Sequence, residues 1–172
     1  MLLSTPQRRT VWQLGLSVTA SVVVALAWPR PPRIIWNATA SAPIGLYAVL
    51  PVHNLAPGQL VLARLPPKAA RLAARRGYLP LGLPVVKRVV ALAGARICAH
   101  GHILSQGGHV IAYRLFADSR RRPLPLWNGC LRLSEQEAFL LMAGKRHSFD
   151  SRYFGPVRRA AIIGRLVPLW LR

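Results

Sequence analysis

With 172 residues the chain has room for one domain around one core, and 24 lysines and arginines against four acids give it a formal charge of +20. The acids Asp118, Glu135, Glu137 and Asp150 are scattered, which leaves no material for a carboxylate dyad or an oxygen-lined metal cage. His100 and His102 alternate near His109 without an HExxH or paired CxxC, so zinc is not expected either.

The basic residues exclude less. Only Lys68, Lys87 and Lys145 are lysines, and the arginines fall in short clusters such as Arg120-Arg121-Arg122. No compact nucleic-acid recognition motif accompanies them, which argues against a nucleic-acid partner. A solvated basic surface, or one facing anionic lipid, explains the charge as well. The dispersed glycines form no phosphate loop. What remains is chemistry run on serine, lysine or histidine without metal or cofactor, or a binding protein with no chemistry.

In chain order, residues 1–10 form a short basic N-terminus and residues 11–28, "VWQLGLSVTASVVVALAW", carry no charge. A helix rising about 1.5 Å per residue needs about 20 residues to cross a hydrocarbon core of about 30 Å, so this segment is at the short end of a transmembrane anchor. Arg8 and Arg9 before it place the N-terminus in the cytoplasm, although Arg30 and Arg33 lie on the far flank. Trp12, Trp28 and Trp36 suit a membrane interface. Ala25-Leu26-Ala27 also resembles a signal-peptide cleavage site, so a removed signal competes with a retained anchor. Either way residues 29–172 form one exported domain. In that compartment Cys98 and Cys130 could close a disulfide; in a reducing one they would stay thiols.

Beyond the anchor the pattern predicts a mainly β fold. "GLYAVLPV", "GQLVLARL", "LPVVKRVVALAG", "ARICAHGHIL" and "HVIAYRL" are short apolar or alternating runs divided by turns such as Pro57-Gly58 and Gly107-Gly108. Residues 66–80 break the pattern with Ala, Leu and Arg, which suits a short helix capped at Gly77 and ended before Pro80. Ser134 with Glu137 three residues on has capping-box spacing, so a helical turn is expected there. The tail "AIIGRLVPLWLR" returns to strand.

Three places could hold chemistry. In an extended "VVKRVVA" run, Lys87 shares a face with Val85, Val89 and Ala91. If that face is buried, its ammonium is disfavoured and the lysine becomes a usable base; if exposed, Lys87 is an ordinary surface residue. Ser41, in "NATASAPIGLY", is either a turn residue or a nucleophile that needs such a base. His147 and Asp150 offer a Ser-His-Asp alternative, weakened by their closeness in sequence. Asp150 and Arg152, two apart in "SFDSRYFG", project to the same side of a strand and can pair, with Ser148 on that face.

The order of an apolar N-terminal segment, Ser41, Lys87 and "SFDSRYFG" resembles the type I signal peptidase family of Ser–Lys endopeptidases. Ser148, Asp150, Ser151, Arg152 and Gly155 match the family's S-x-D-S-R-x-x-G motif. "VVKRVVALAG" is similar to its lysine motif. "NATASAPIGLY" looks like the Asn-x-Thr-x-Ser-x-Pro-x-Gly-Leu-Tyr form of the TraF-type branch, the peptidases of conjugative-transfer systems. Ala95 stands where the family usually has Asp, and "GKRH" replaces Gly-Asp-Asn.

The resemblance implies Ser41 as nucleophile and Lys87 as general base. Thr39 would form the oxyanion hole with the Ser41 N–H, Ser148 would orient Lys87, and Asp150 with Arg152 would brace the site. It implies a signal-peptidase-like β domain on the periplasmic side of a bacterial inner membrane, held by a single span. The substrate would be an exported precursor bound as an extended strand, a pilin of the conjugation apparatus, with hydrolysis and cyclisation as the two open outcomes of the cut. The rivals are a general signal peptidase and a non-catalytic, membrane-anchored basic assembly or binding protein.

Overall fold

Apolar residues at every second position make a strand with one dry face, and "RICAH" does so with Ile97 and Ala99 buried between exposed Arg96 and His100. The computed structural model describes residues 33–172; the segment read as an anchor, 11–28, lies outside them. The described residues form eleven strands: β1 (Ile34–Asn37), β2 (Gly45–Leu50), β3 (Leu60–Ala63), β4 (Val85–Ala91), β5 (Arg96–His100), β6 (Ile103–Gln106), β7 (His109–Tyr113), β8 (Gly129–Arg132), β9 (Glu137–Leu141), β10 (Val157–Arg158) and β11 (Ile162–Leu171). Two short helices accompany them, α1 (Pro67–Arg76) and α2 (Ser151–Phe154). Among the described residues no helix is long and apolar enough to cross a membrane.

The strands make two antiparallel sheets. The larger runs β1-β2-β11-β3-β4-β9-β10 and the smaller β7-β6-β5-β8. On the smaller sheet Cys98 and Cys130 face each other in register across β5 and β8 and are bonded, with sulfurs 2.03 Å apart.

The strand β9 shows why alternation fails where both faces are covered. Phe139 and Leu141 pack with Ile97 and Leu104 of the small sheet. Ala138 and Leu140 pack on the other side with Val61, Val89 and Val157. Four consecutive buried residues therefore read equally well as a buried helix; the helical turn expected at Ser134 rested on the spacing to Glu137. The Glu137 carboxylate does accept the Ser134 N–H at 3.0 Å and its hydroxyl at 2.9 Å, but the contact closes a turn leading into a strand. Between the two clusters, truncating Phe139 to Ala would cost about 3–5 kcal/mol.

Helix α1 behaves as its sequence predicts. Pro67 sits in its first turn, Ala69 and Ala73 are its buried side, and Gly77 ends it at φ 71°. Strand β11 accommodates Pro168 because only residues up to Arg165 pair with β3; at 168 the edge that would need its missing N–H is open. Gly45 has no room for a side chain, since a Cβ there would run into the Trp170 carbonyl. Trp36 and Trp170 stack across the exposed surface of this end, centroids 5.6 Å apart.

Candidate active site

The turn between β1 and β2 carries Ser41, and one buried side chain organises it. Asn37 ends β1, and its Nδ2 donates to the carbonyls of Thr39 at 3.0 Å, Ala42 at 3.3 Å and Pro43 at 2.9 Å. Its Oδ1 accepts the Thr39 N–H at 3.3 Å and the Thr39 hydroxyl at 2.8 Å. The Tyr47 hydroxyl, from the fully buried side of β2, donates to the Pro43 carbonyl at 2.7 Å. The outcome is a rigid turn with Ser41 half-buried at its tip and its Oγ 3.1 Å from Thr39 Oγ1.

Lys87 comes from the middle of β4, and the structure puts it on the dry side: it is 3% exposed, while Arg88 is exposed. Val86, Lys87, Val89 and Ala91 are all buried, and a bulge between Val89 and Ala91, opposite β9, resets the alternation. Burial pushes the Lys87 ammonium down from 10.5 to about 8; the Asp150 carboxylate opposes this and the Arg152 guanidinium adds to it. Its Nζ donates to Ser148 Oγ at 2.8 Å.

Behind Ser148 lies a buried ion pair. The segment is not the strand expected from spacing: Asp150 caps the helical turn α2, accepting the Arg152 N–H at 3.2 Å. The pairing survives the change because the Arg152 side chain folds back, with Nε 2.8 Å and Nη2 3.1 Å from the carboxylate oxygens. Asp150 also accepts the Met142 N–H, and Arg152 donates to the carbonyls of Met142 and Tyr113. Every charge-bearing atom is thus matched, the condition under which such a pair is tolerated out of water. Asp150 bonds only to Arg152 and Met142, so the His147–Asp150 alternative is not built.

Ser41 and Lys87 open into one cavity of about 740 Å³, whose remaining wall is mostly apolar, with Leu65, Leu79, Leu124 and Phe149 among its residues. They are hydrogen-bonded to Thr39 and Ser148 respectively, not to each other. A hydroxyl and a lysine poised to lose its proton, facing one apolar hollow, can carry out acyl transfer.

Sequence reasoning missed Tyr78, gave Asn37 no role of its own, and named His147 only in the alternative with Asp150. The Asn37 keystone was visible only as part of the motif. His147 lines the cavity as an exposed residue beside Ser148. Tyr78, just past α1, packs against Phe149 at 5.5 Å and donates to Asp118 at 2.5 Å; Asp118 also accepts from Arg122 Nε at 2.7 Å. Forty residues separate Tyr78 from Asp118, and no local pattern announces such a contact.

The chain belongs to the signal peptidase family, peptidase S26, whose family model matches residues 7–170. Within that class it is similar to proteins of conjugative transfer. It is 33% identical over 160 residues to a probable conjugal transfer protein TraF of Sinorhizobium fredii, covering 87% of this chain and 82% of that one. It is 30% identical over 172 residues to the conjugal transfer protein TraF of Agrobacterium tumefaciens, covering 95% and 96%. It is 32% identical over 146 residues to a plasmid transfer protein TraF of Escherichia coli, covering 77% and 80%. A crystal structure of a signal peptidase I from Enterococcus faecalis aligns at 20% identity with a TM-score of 0.41, covering 67% of this chain and 99% of that one.

Proposed function

We propose that this protein is a membrane-anchored serine endopeptidase with Ser41 as nucleophile and Lys87 as general base. In this reading the neutral Lys87 amine takes the Ser41 proton as Oγ attacks the scissile carbonyl. The Ser41 N–H stabilises the oxyanion, and the resulting Lys87 ammonium returns the proton to the leaving amine. Water, activated by the same amine, then hydrolyses the acyl-enzyme. A chain terminus in place of water would give cyclisation.

The observation that carries the proposal is a lysine 3% exposed, bonded to Ser148, opening into the same cavity as Ser41. A merely structural lysine would gain nothing from burial that lowers its basicity. Similarity to TraF proteins of conjugal transfer supports an exported precursor, a pilin, as substrate. The apolar stretch 11–28 and the exposed Trp36–Trp170 stack support a single-pass protein of the bacterial inner membrane with its domain on the periplasmic side. The cavity has room for several residues of an extended chain.

The test is processing of a pilin precursor in membranes carrying wild type, Ser41→Ala or Lys87→Arg. Both variants are expected to be stable and inactive, the second because guanidinium keeps its proton. Processing by Ser41→Ala at the wild-type rate would refute the proposal and favour a basic, non-catalytic assembly protein. The mass of the wild-type product separates hydrolysis from cyclisation.

A further inference from the structure

Two of the segments that wall the cavity lie outside the three motifs of the site. One runs from the end of α1 to the start of β4 and contributes Tyr78, Leu79 and Leu83. The other lies between β7 and β8 and contributes Leu115, Asp118 and Leu124. Neither segment is part of the two sheets, so no strand ladder holds it in place.

What fixes them is a clasp centred on one carboxylate. Asp118, its side chain 8% exposed, accepts the Tyr78 hydroxyl at 2.5 Å and Arg122 Nε at 2.7 Å through one oxygen. Its other oxygen accepts the N–H groups of Arg120 and Arg122, each at 2.9 Å. Arg122 reaches on to the Arg76 carbonyl at 3.3 Å, and its guanidinium lies 5.6 Å from the centre of the Tyr78 ring. Arg76, in the last turn of α1, donates to the Pro123 carbonyl at 2.8 Å. Within this loop Arg121 takes φ 59°, a left-handed conformation that residues with side chains normally avoid. Such a position is kept only where the surroundings over-determine it.

The clasped segment carries apolar surface that the fold leaves uncovered. Leu81 is 67% exposed and Leu83 52%, on either side of Gly82 and between Pro80 and Pro84. Leu83 borders the same apolar hollow that Ser41 and Lys87 open into, the setting in which a ligand covers such residues.

We propose that the Tyr78–Pro84 segment is the specificity wall of this site: it takes an apolar side chain of the extended precursor, and the clasp on Asp118 holds the wall in place before substrate arrives. The inference rests on the peptidase reading, because the occupant follows from Ser41 and Lys87 sharing the cavity. Leu83 meets the substrate; Tyr78, Asp118 and Arg122 are positioning residues. A wall fixed in advance spares the substrate the work of ordering it. With the clasp broken, only a fraction of the molecules hold the wall in place, and apparent affinity falls by that fraction.

The experiment measures kcat and KM separately for cleavage of the pilin precursor by the full chain in detergent. Leu83→Gln keeps the size of an exposed residue and removes its apolar character. KM is expected to rise about 10-fold with kcat within about twofold, the pattern of lost binding and intact chemistry. Leu83→Met, apolar again, should restore the wild-type KM. Tyr78→Phe keeps the ring and loses the bond to Asp118; a rise in KM of about 3- to 10-fold is expected, again at unchanged kcat. A wild-type KM in Leu83→Gln overturns the wall, and so does a fall in kcat at unchanged KM. A wild-type KM in Tyr78→Phe overturns the clasp. A precursor left uncut by the wild type removes the peptidase reading and this inference with it, whereas a wild type that cuts leaves the dyad standing however the variants behave. If Tyr78→Phe does not fold, the two Leu83 variants still decide.

Discussion

Ser41 sits half exposed in a turn held by the side chains of Asn37 and Tyr47, whereas Lys87, Ser148, Asp150 and Arg152 are each 3% exposed or less and bond only to one another and to main chain. The contrast follows from what each half has to do. A nucleophile must be reached by a peptide, so its turn stays open and is stiffened from below by Asn37. A lysine that works as a base must be dried, so it is walled in, with Ser148 as its hydrogen-bonding partner.

This difference can be broken most forcefully on the dry side. Arg152→Leu leaves the Asp150 carboxylate buried without its partner and strips a donor from the carbonyls of Met142 and Tyr113. A loss of about 3–5 kcal/mol is expected in urea unfolding. A loss below about 1 kcal/mol would mean that the pair is not the brace described above.

Lys87→Met should act the other way, stabilising the protein while abolishing activity. The folded pKa, about 8, lies below the ordinary 10.5. Below pH 8 the lysine is protonated folded or unfolded, and burying its ammonium costs in full, roughly 3 kcal/mol at 1.36 kcal/mol per pKa unit. Between 8 and 10.5 only the unfolded chain holds the proton, so wild-type stability rises with pH and the advantage of Met shrinks. Urea titrations of both proteins at pH 7 and pH 10 test this; an advantage that grows with pH would have the wrong sign. For the same reason the rate of precursor processing by the wild type should rise with pH and level off above about 8.

The smallest effect is expected at Ser148→Ala. It removes one hydrogen bond from Lys87, worth about 1 kcal/mol of stability, and should lower the rate of precursor processing by about tenfold through loss of orientation. A variant equal to wild type in rate would show that Lys87 needs no help in aiming.

Legibility in the sequence followed the same division. The turn around Ser41 was readable because its elements are local: Asn37, Thr39, Ser41, Pro43 and Gly45 act over nine positions, and the order of motifs could be matched directly. Strands with one wet face, such as β5, and helix α1 with its Gly77 stop were readable for the same reason. The strand β1 was missed because it is only four residues long, IIWN, too short a run to show alternation. A helical turn was expected at Ser134 from its capping-box spacing with Glu137, a contact that forms but leads into strand β9.

What the sequence determined by itself was the inventory: a mainly β chain with few acids, one lysine inside a valine run, and a serine and an acid–arginine pair in a recognisable order. Whether Lys87 faced solvent or core was not in that inventory. Alternation gives a strand two faces but does not say which is covered, and the β9 pairing and the bulge at Val89–Ala91 settle it. Tertiary structure decided this because burial belongs to neighbours in space, and Lys87 lies 61 positions from the serine it touches.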